Sequence, residues 1–413
     1  MFQNGIFQWR KGTQAQISIA IAGDTGPAGD SINTVLTGKS EDILGPIQPA
    51  LDRADLRLIQ WETVITDKPA PIVKEGPKFI VPPGMENFIK AGNFDVALLA
   101  NNHAGDQGPS GALNTIRYIE EAGIRTVGAG KNTADARKVL HLQKKGFRIA
   151  ILNFCETEFG TSYEDQPGTN AMDELVNLQQ TADERKNNDL VLVVIHGGNE
   201  YFPIPSPRMR KLYSAFARAG ASAVVNIHTH CPQGIEIVDN VPVIYCPGNF
   251  FLPLLAKGNP FDPRNFWWSG YLPRITFDAE GAFEIEITPY IFSPGPWKIE
   301  PLQGKERQWY LDYVSRISEL AVTACEDWFD IWCAYRYREQ LSWVANAPVA
   351  ALLNDISDAN ALVKLPAFRD MFTCQAHFET MCRILLLIER RRMQDCIAKL
   401  GDLNELQCAR FRD

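Results

Sequence analysis

The sequence predicts an α/β fold followed by an all-helical C-terminal part. Three observations predict it. Short apolar, β-rich runs alternate with helical patterns through the first two-thirds of the chain; the alternation stops near Pro294-Gly295-Pro296; and from about Glu306 the sequence turns helix-like, rich in Leu, Arg, Cys and aromatic residues. The 413 residues exceed one ordinary core, and the expected division is residues 1–298 and residues 299–413. A hydrophobic content of 45% supports a sizeable core and excludes a disordered chain.

The elements follow in order. "ISIAIAGD" from Ile17 reads as a buried strand ending in a turn, "DLRLIQWE" from Asp55 as a second and "DVALLANNH" from Asp95 as a third. "GALNTIRYIEEAG" has helical periodicity and a glycine stop at Gly123. "RIAILNF", "DLVLVVIHGG" and "SAVVNIHTH" read as further strands. Helices are expected between them over "AMDELVNLQQTADERKN" and over "SPRMRKLYSAFARAG", the latter started by Ser206-Pro207. "VPVIYCPGNFF" and "FEIEITPYIF" close the β-rich part. In the tail, long helical runs are expected from Arg307 to Ala345 and from Arg369 to Gly401, with Pro348 and Pro366 as breaks. The aromatic stripes of the tail are expected to be core or a homodimer face rather than a cofactor box.

With a net charge of −8, nothing in the sequence advertises the basic face that a nucleic-acid surface needs, and no nucleic-acid partner is expected. An acidic chain still binds anions through a metal, which inverts the local charge. The N-terminus "MFQNGIFQWRKGTQAQ" lacks the apolar core of a signal peptide, and no run of about 18 apolar residues offers a membrane span, so a cytoplasmic protein is expected. The nine cysteines contain no CxxC pair and are expected to be reduced and buried.

The chemistry collects at strand ends, where open α/β sheets form their sites. Asp24 follows the first strand, Glu62 the second, and Asn101, Asn102 and His103 the third. His196 ends "VLVVIH", and His228 and His230 follow "SAVVN". Four of the six histidines lie at such ends; His141 and His377 do not. If strand geometry continued, His228 and His230 would project to one face. A mixed carboxylate, amide and imidazole set suits Mn, Fe or Zn and exceeds what one tetrahedral ion needs, so two divalent ions sharing a carboxylate are expected.

These motifs, in this order, resemble the capsule-synthesis CapA type, the poly-γ-glutamate synthesis family, a branch of the calcineurin-like metallophosphoesterases. The resemblance spans roughly residues 17 to 255. It rests on Gly23-Asp24, "QWE" with Glu62, "ANNHAGDQG" (Ala100 to Gly108), "HGGNEY" (His196 to Tyr201), "HTHCPQGIE" (His228 to Glu236) and Gly248-Asn249-Phe250. Gln60 stands where the family has the Asn of NLE, and Asn226 where it has a glycine.

The resemblance implies a calcineurin-like sandwich of mixed β-sheets flanked by helices. It implies that Asp24 and His230 hold one metal, that Glu62 bridges, and that Asn102, His196 and His228 hold the other. It implies His103 as general acid or transition-state donor oriented by Asp106, a pairing that also raises an imidazole pKa. Glu200, Tyr201 and Arg208 are expected to shape a substrate pocket, the arginine suiting a phosphate or carboxylate. The implied function is metal-dependent hydrolysis, by dinuclear-metal hydroxide attack, of a phosphoester or an amide bond, on a small molecule or an anionic polymer such as poly-γ-glutamate. The alternative is a non-catalytic component of a machine that makes an anionic polymer. The helical tail is expected to dimerise or to lid the site.

Overall fold

The computed structural model describes residues 2–162, 165–254 and 261–412. Its two large sheets stack on each other, and a small two-stranded one pairs Ala129–Gly130 with Gly168–Thr169. The first has eight strands, in the order Ile6–Gln8, Gly281–Ser293, Ser269–Asp278, Ile17–Thr25, Leu56–Trp61, Val96–Leu98 and Arg125–Val127, with Lys298–Pro301 pairing on Gly281–Ser293. Its last four strands run parallel, and Ser269–Asp278 pairs antiparallel with Ile17–Thr25. The second sheet has six strands, in the order Ile235–Val238, Val241–Ile244, Ala223–Ile227, Leu190–His196, Phe147–Cys155 and Leu140–Lys144. Its four inner strands are parallel.

Side-chain alternation explains the layering. On Leu190–His196, Leu190, Leu192 and Val194 face the core shared with the first sheet. Val191, Val193 and Ile195 face the opposite way, onto Tyr213 and Phe216 of the helix Pro207–Ala219. A strand buried on both faces reads as a continuous apolar run, as this one does. The architecture is the expected sandwich of mixed sheets flanked by helices, followed by helices from Gly304 onward.

The tail departs from the expected runs in two ways. The stretch from Arg307 to Ala345 is two helices, Gly304–Thr323 and Cys325–Ala345, hinged at Ala324, whose φ is −146°. One straight helix of that length would extend about 60 Å and leave its aromatic stripe in water. Folding back places Tyr310, Ile317, Phe329 and Trp332 in the same core cluster as both sheets. Pro366 does not break its helix but lies inside Ala359–Thr373. The bond it forgoes would end on the carbonyl of Leu362, a residue 44% exposed, where water can replace it. Pro348 does mark a break, capping Val349–Asn354. All nine cysteines are free and seven are buried. No helix among the described residues is long and apolar enough to cross a membrane.

Polar contacts fasten the helix Gln375–Glu389 to the strand-end loops. Glu156 accepts from the Ala376 amide at 2.9 Å, Gln375 Oε1 accepts from the Thr157 amide at 2.9 Å, and Asn199 Nδ2 donates to Thr380 at 2.8 Å.

Candidate metal centre

The carboxyl ends of the parallel strands of both sheets meet at one edge. Asp24 ends Ile17–Thr25, and its carbonyl accepts from the amides of Phe250 and Phe251 at 2.9 and 3.1 Å. The close approach requires Gly23: a Cβ there would lie 1.9 Å from the Gly248 carbonyl oxygen. Glu62 follows Leu56–Trp61, its amide bonded to the Thr25 carbonyl at 2.9 Å. His196 ends Leu190–His196. His228 and His230 lie beyond the last strand residue, Ile227, and reach the site by a different route from strand alternation: both have positive φ, 122° and 53°. Strained backbone of this kind is held by its surroundings and is frequent at functional sites.

The polar atoms converge. His196 Nδ1 is 3.6 Å from Asp24 and its Nε2 is 3.9 Å from Glu62. His230 Nδ1 is 3.4 Å from Asp24 and its Nε2 is 3.8 Å from Glu62. His196 Nε2 also lies 3.1 Å from Asn102 Oδ1 and 3.0 Å from His228 Nδ1. Two compact ligand groups result: Asp24, Glu62 and His196, and Glu62, His228 and His230. Glu62 belongs to both, as a bridging carboxylate would. By ligand-atom compactness His196 groups with Asp24 and His230 with His228, while His230 also lies 3.4 Å from Asp24, its partner in the expected set.

Both oxygens of Asp24, both oxygens of Glu62 and His196 Nδ1 are buried with no hydrogen-bond partner among the described residues. Buried carboxylates without partners are strongly disfavoured. Burial accordingly pushes Asp24 up to about 7 and Glu62 well above its usual range, the latter with further repulsion from Asp24. Burial also keeps His196 far below its ordinary value and His228 down at about 4, so both imidazoles are neutral at neutral pH, the form in which an imidazole can bind a metal. Bonds of about 2.1 Å place neighbouring ligands of a tetrahedral or octahedral shell about 3.0–3.4 Å apart. The observed pairs are close to that spacing, and the donor set fits divalent cations.

Outer contacts orient the ligands. Asn249 Oδ1 lies 2.8 Å from His230 Nδ1, which assigns the proton to Nδ1 and leaves the Nε2 lone pair beside Glu62. Asn226, at the family's glycine position, is a satisfied anchor: it accepts from Tyr213 at 2.8 Å and donates to the Gly197 and Tyr245 carbonyls at 2.9 Å.

His103 sits beside the centre, stacked on Phe79 with centroids 4.0 Å apart. Its Nδ1 is 2.7 Å from Asp106, which also binds Lys74 at 2.6 Å and the Phe79 amide at 2.6 Å. An ionised carboxylate only accepts, so His103 Nδ1 carries the proton and Nε2 the lone pair. The expected rise of the His103 pKa does not occur. Burial first, then Lys74, lowers it against the pull of Asp106.

A cavity of about 520 Å³ opens over the centre, between the strand-end loops and the helices Cys325–Ala345, Ala359–Thr373 and Gln375–Glu389. Asn102, His103, Glu200 and His228 line its floor. Burial disfavours an ionised Glu200, and only the charged forms of His230, His228 and His103 draw its carboxyl below the ordinary value. Two expected pocket residues do not line this cavity. Tyr201 is 41% exposed and lines a separate hollow with Cys231, Phe266 and Gln407, its ring centroid 6.2 Å from that of His230. Arg208 is not in the cavity wall: Glu156 and Glu379 (3.2 Å) clasp its guanidinium, so its charge serves a helix clamp rather than an anionic ligand.

The sequence model described as "Bacterial capsule synthesis protein PGA_cap" matches residues 18–253, more than half of the chain. The chain belongs to this family. Among PGA_cap relatives, it is 36% identical to the capsule biosynthesis protein CapA of Bacillus anthracis over 168 residues, 39% of this chain and 41% of that one. It is 34% identical to the PGA biosynthesis protein CapA of Bacillus subtilis (strain 168) over 228 residues, 52% of this chain and 57% of that one. The chain thus spans about half the length of the curated relatives it matches. Among solved structures, a 5'-nucleotidase precursor from Thermus thermophilus aligns with a TM-score of 0.41 and 13% identity, over 75% of this chain and 59% of that one.

The PGA_cap match ends at residue 253, so the helices that cover the cavity lie outside it. Sequence reasoning missed Lys74, the role of Asn249, and Glu158, which lines the cavity 4.0 Å from His228 Nε2. Lys74 comes from a loop 29 residues before His103, and nothing local sets it apart from Lys68 or Lys78. Asn249 was within reach, because it sits in the Gly-Asn-Phe turn that the motifs single out.

Proposed function

We propose that this PGA_cap protein is a metal-dependent hydrolase of a phosphoester or an amide bond, linked to capsule or poly-γ-glutamate metabolism. Asp24, Glu62, Asn102, His196, His228 and His230 would hold two divalent ions, Mn, Fe or Zn. The observation that carries the proposal is the pair of buried carboxylates whose four oxygens lack a hydrogen-bond partner among the described residues, set beside the neutral imidazoles of His196 and His228. When bound, such ions supply Lewis-acid activation of water and of the scissile group at neutral pH.

The protein's own part follows from His103. It is neutral at pH 7 and presents the Nε2 lone pair, fixed by the bond from Nδ1 to Asp106. It therefore takes up a proton at Nε2 before it can give one to a leaving group. Phe79 holds the ring flat and excludes water from that side. Glu200, on the cavity floor, offers a carboxyl that can accept from polar hydrogens of the substrate.

The test is to assay full-length, metal-reconstituted protein against p-nitrophenyl phosphate, bis(p-nitrophenyl) phosphate and γ-glutamyl p-nitroanilide. Hydrolysis of one bond class, abolished in Glu62→Gln, supports the proposal. No turnover of either class with metal bound would overturn it in favour of a non-catalytic polymer-synthesis component.

A further inference from the structure

We propose that the C-terminal helices build a distal subsite that selects substrates carrying a flat aromatic group remote from the scissile bond. The reacting end of such a substrate rests on the hydrolase reading above. The subsite rests on the cavity wall.

The wall facing the candidate metal centre is aromatic. Trp332 and Trp343 come from Cys325–Ala345 and Phe368 from Ala359–Thr373, and all three line the cavity. Each ring is braced. Trp332 stacks on Phe202 at 5.1 Å, Trp343 meets His377 edge-on at 5.6 Å, and Phe368 meets Phe372 edge-on at 5.2 Å. Trp343 and Phe368 are only half-buried, so part of each ring remains available to a ligand. Rigid rings on one side and polar groups on the other match the composition of small-molecule sites, and about 520 Å³ suits one molecule of that size.

Shape and charge pairing argue against a long polyanion here. The cations that line the cavity are Lys74, Arg336, Lys364 and His377, the last held protonated beside Asp370 at 2.9 Å. Lys74 is held by Asp106 at 2.6 Å and Arg336 by Glu339 at 3.1 Å. Glu75 and Asp370 add carboxylates to the same lining, while burial pushes Glu158 up to about 8. A repeating carboxylate chain would meet cations largely paired with the protein's own carboxylates and a covered space in place of an open groove. A single aromatic group would meet rings.

Hydroxamates test the subsite whichever bond is cleaved, because they chelate divalent metals directly. Metal-reconstituted full-length protein is titrated calorimetrically with phenylbutyrohydroxamate, whose ring is set off from the chelating group by a flexible chain, and with butyrohydroxamate. Aromatic contacts with two rings predict about 10-fold or greater preference for the phenyl compound. That preference should fall toward one in Trp343→Ala and in Phe368→Ala and persist in Trp343→Phe, all with unchanged circular dichroism. No preference in the wild type, or a preference that survives both alanine variants, would overturn the subsite. Metal content measured on the same samples separates the failures. A metal-bearing protein without aromatic preference sinks the subsite alone, and a protein that takes up no metal sinks the hydrolase reading and the subsite with it.

Discussion

Replacing Arg208 by Met removes the cation that two glutamates share. Glu156 is 1% exposed and Glu379 17% exposed, while Arg208 itself is 18% exposed. Breaking a buried pair by removing one partner costs about 3–5 kcal/mol, and the partial exposure here places the cost near the lower end, about 3 kcal/mol. The clamp joins the start of Pro207–Ala219 to Gln375–Glu389, so the loss should appear as local opening of the second helix. At about 1.4 kcal/mol per decade, 3 kcal/mol is about a 100-fold faster hydrogen exchange. The Ala376 amide, which donates to Glu156, reads it directly. Amides of the strand Ile17–Thr25 should change only a few-fold. The pH dependence has a definite sign. Burial pushes Glu156 up, but Arg208 holds it below its ordinary value of 4.5, so its stabilisation is present above that pH and is lost as pH falls through the folded-state pKa. The difference between wild type and Arg208→Met should therefore shrink on acidification. Acceleration below about 10-fold, or equal acceleration across the chain, would refute the clamp.

Other outcomes follow from the site. His103→Asn should lower kcat by about 10²- to 10⁴-fold while metal content is retained, as removal of a proton-transfer group does. Lys74→Met should move the His103 titration upward by NMR, because Lys74 is a lowering influence second only to burial. Metal uptake near pH 6.5 should release protons, seen calorimetrically as heats that depend on the buffer, because burial keeps Asp24 (about 7) and Glu62 protonated in the metal-free protein. The sign is fixed: apparent metal affinity rises as pH rises through about 7, and an affinity that falls over that range would contradict the assignment.

Much of the site was legible because its residues lie at strand ends, and strand ends are local patterns. Asp24, Glu62, Asn102, His103, His196, His228 and His230 each follow an apolar run, and the fold needs only sheet topology to gather them. What failed was non-local. Arg208 looked like an anion-binding residue at a helix start until Glu379, 171 residues away, took its charge. Lys74 lowers His103 against the carboxylate that the sequence did show. The His-Thr-His turn reached the right place through positive φ values that no apolar periodicity encodes. The tail was legible as helices, but Ala324 and Cys374, where the chain turns back, carry no breaker signal, while Pro366 carries one that an exposed turn absorbs.

The most direct test is elemental analysis of full-length protein reconstituted with Mn, Fe or Zn, alongside Glu62→Gln and His228→Ala. Two ligand groups joined by Glu62 predict about one to two equivalents of metal in the wild type and a loss in both variants. Wild-type protein that retains none of the three metals, or a Glu62→Gln variant that retains the full complement, would contradict the account.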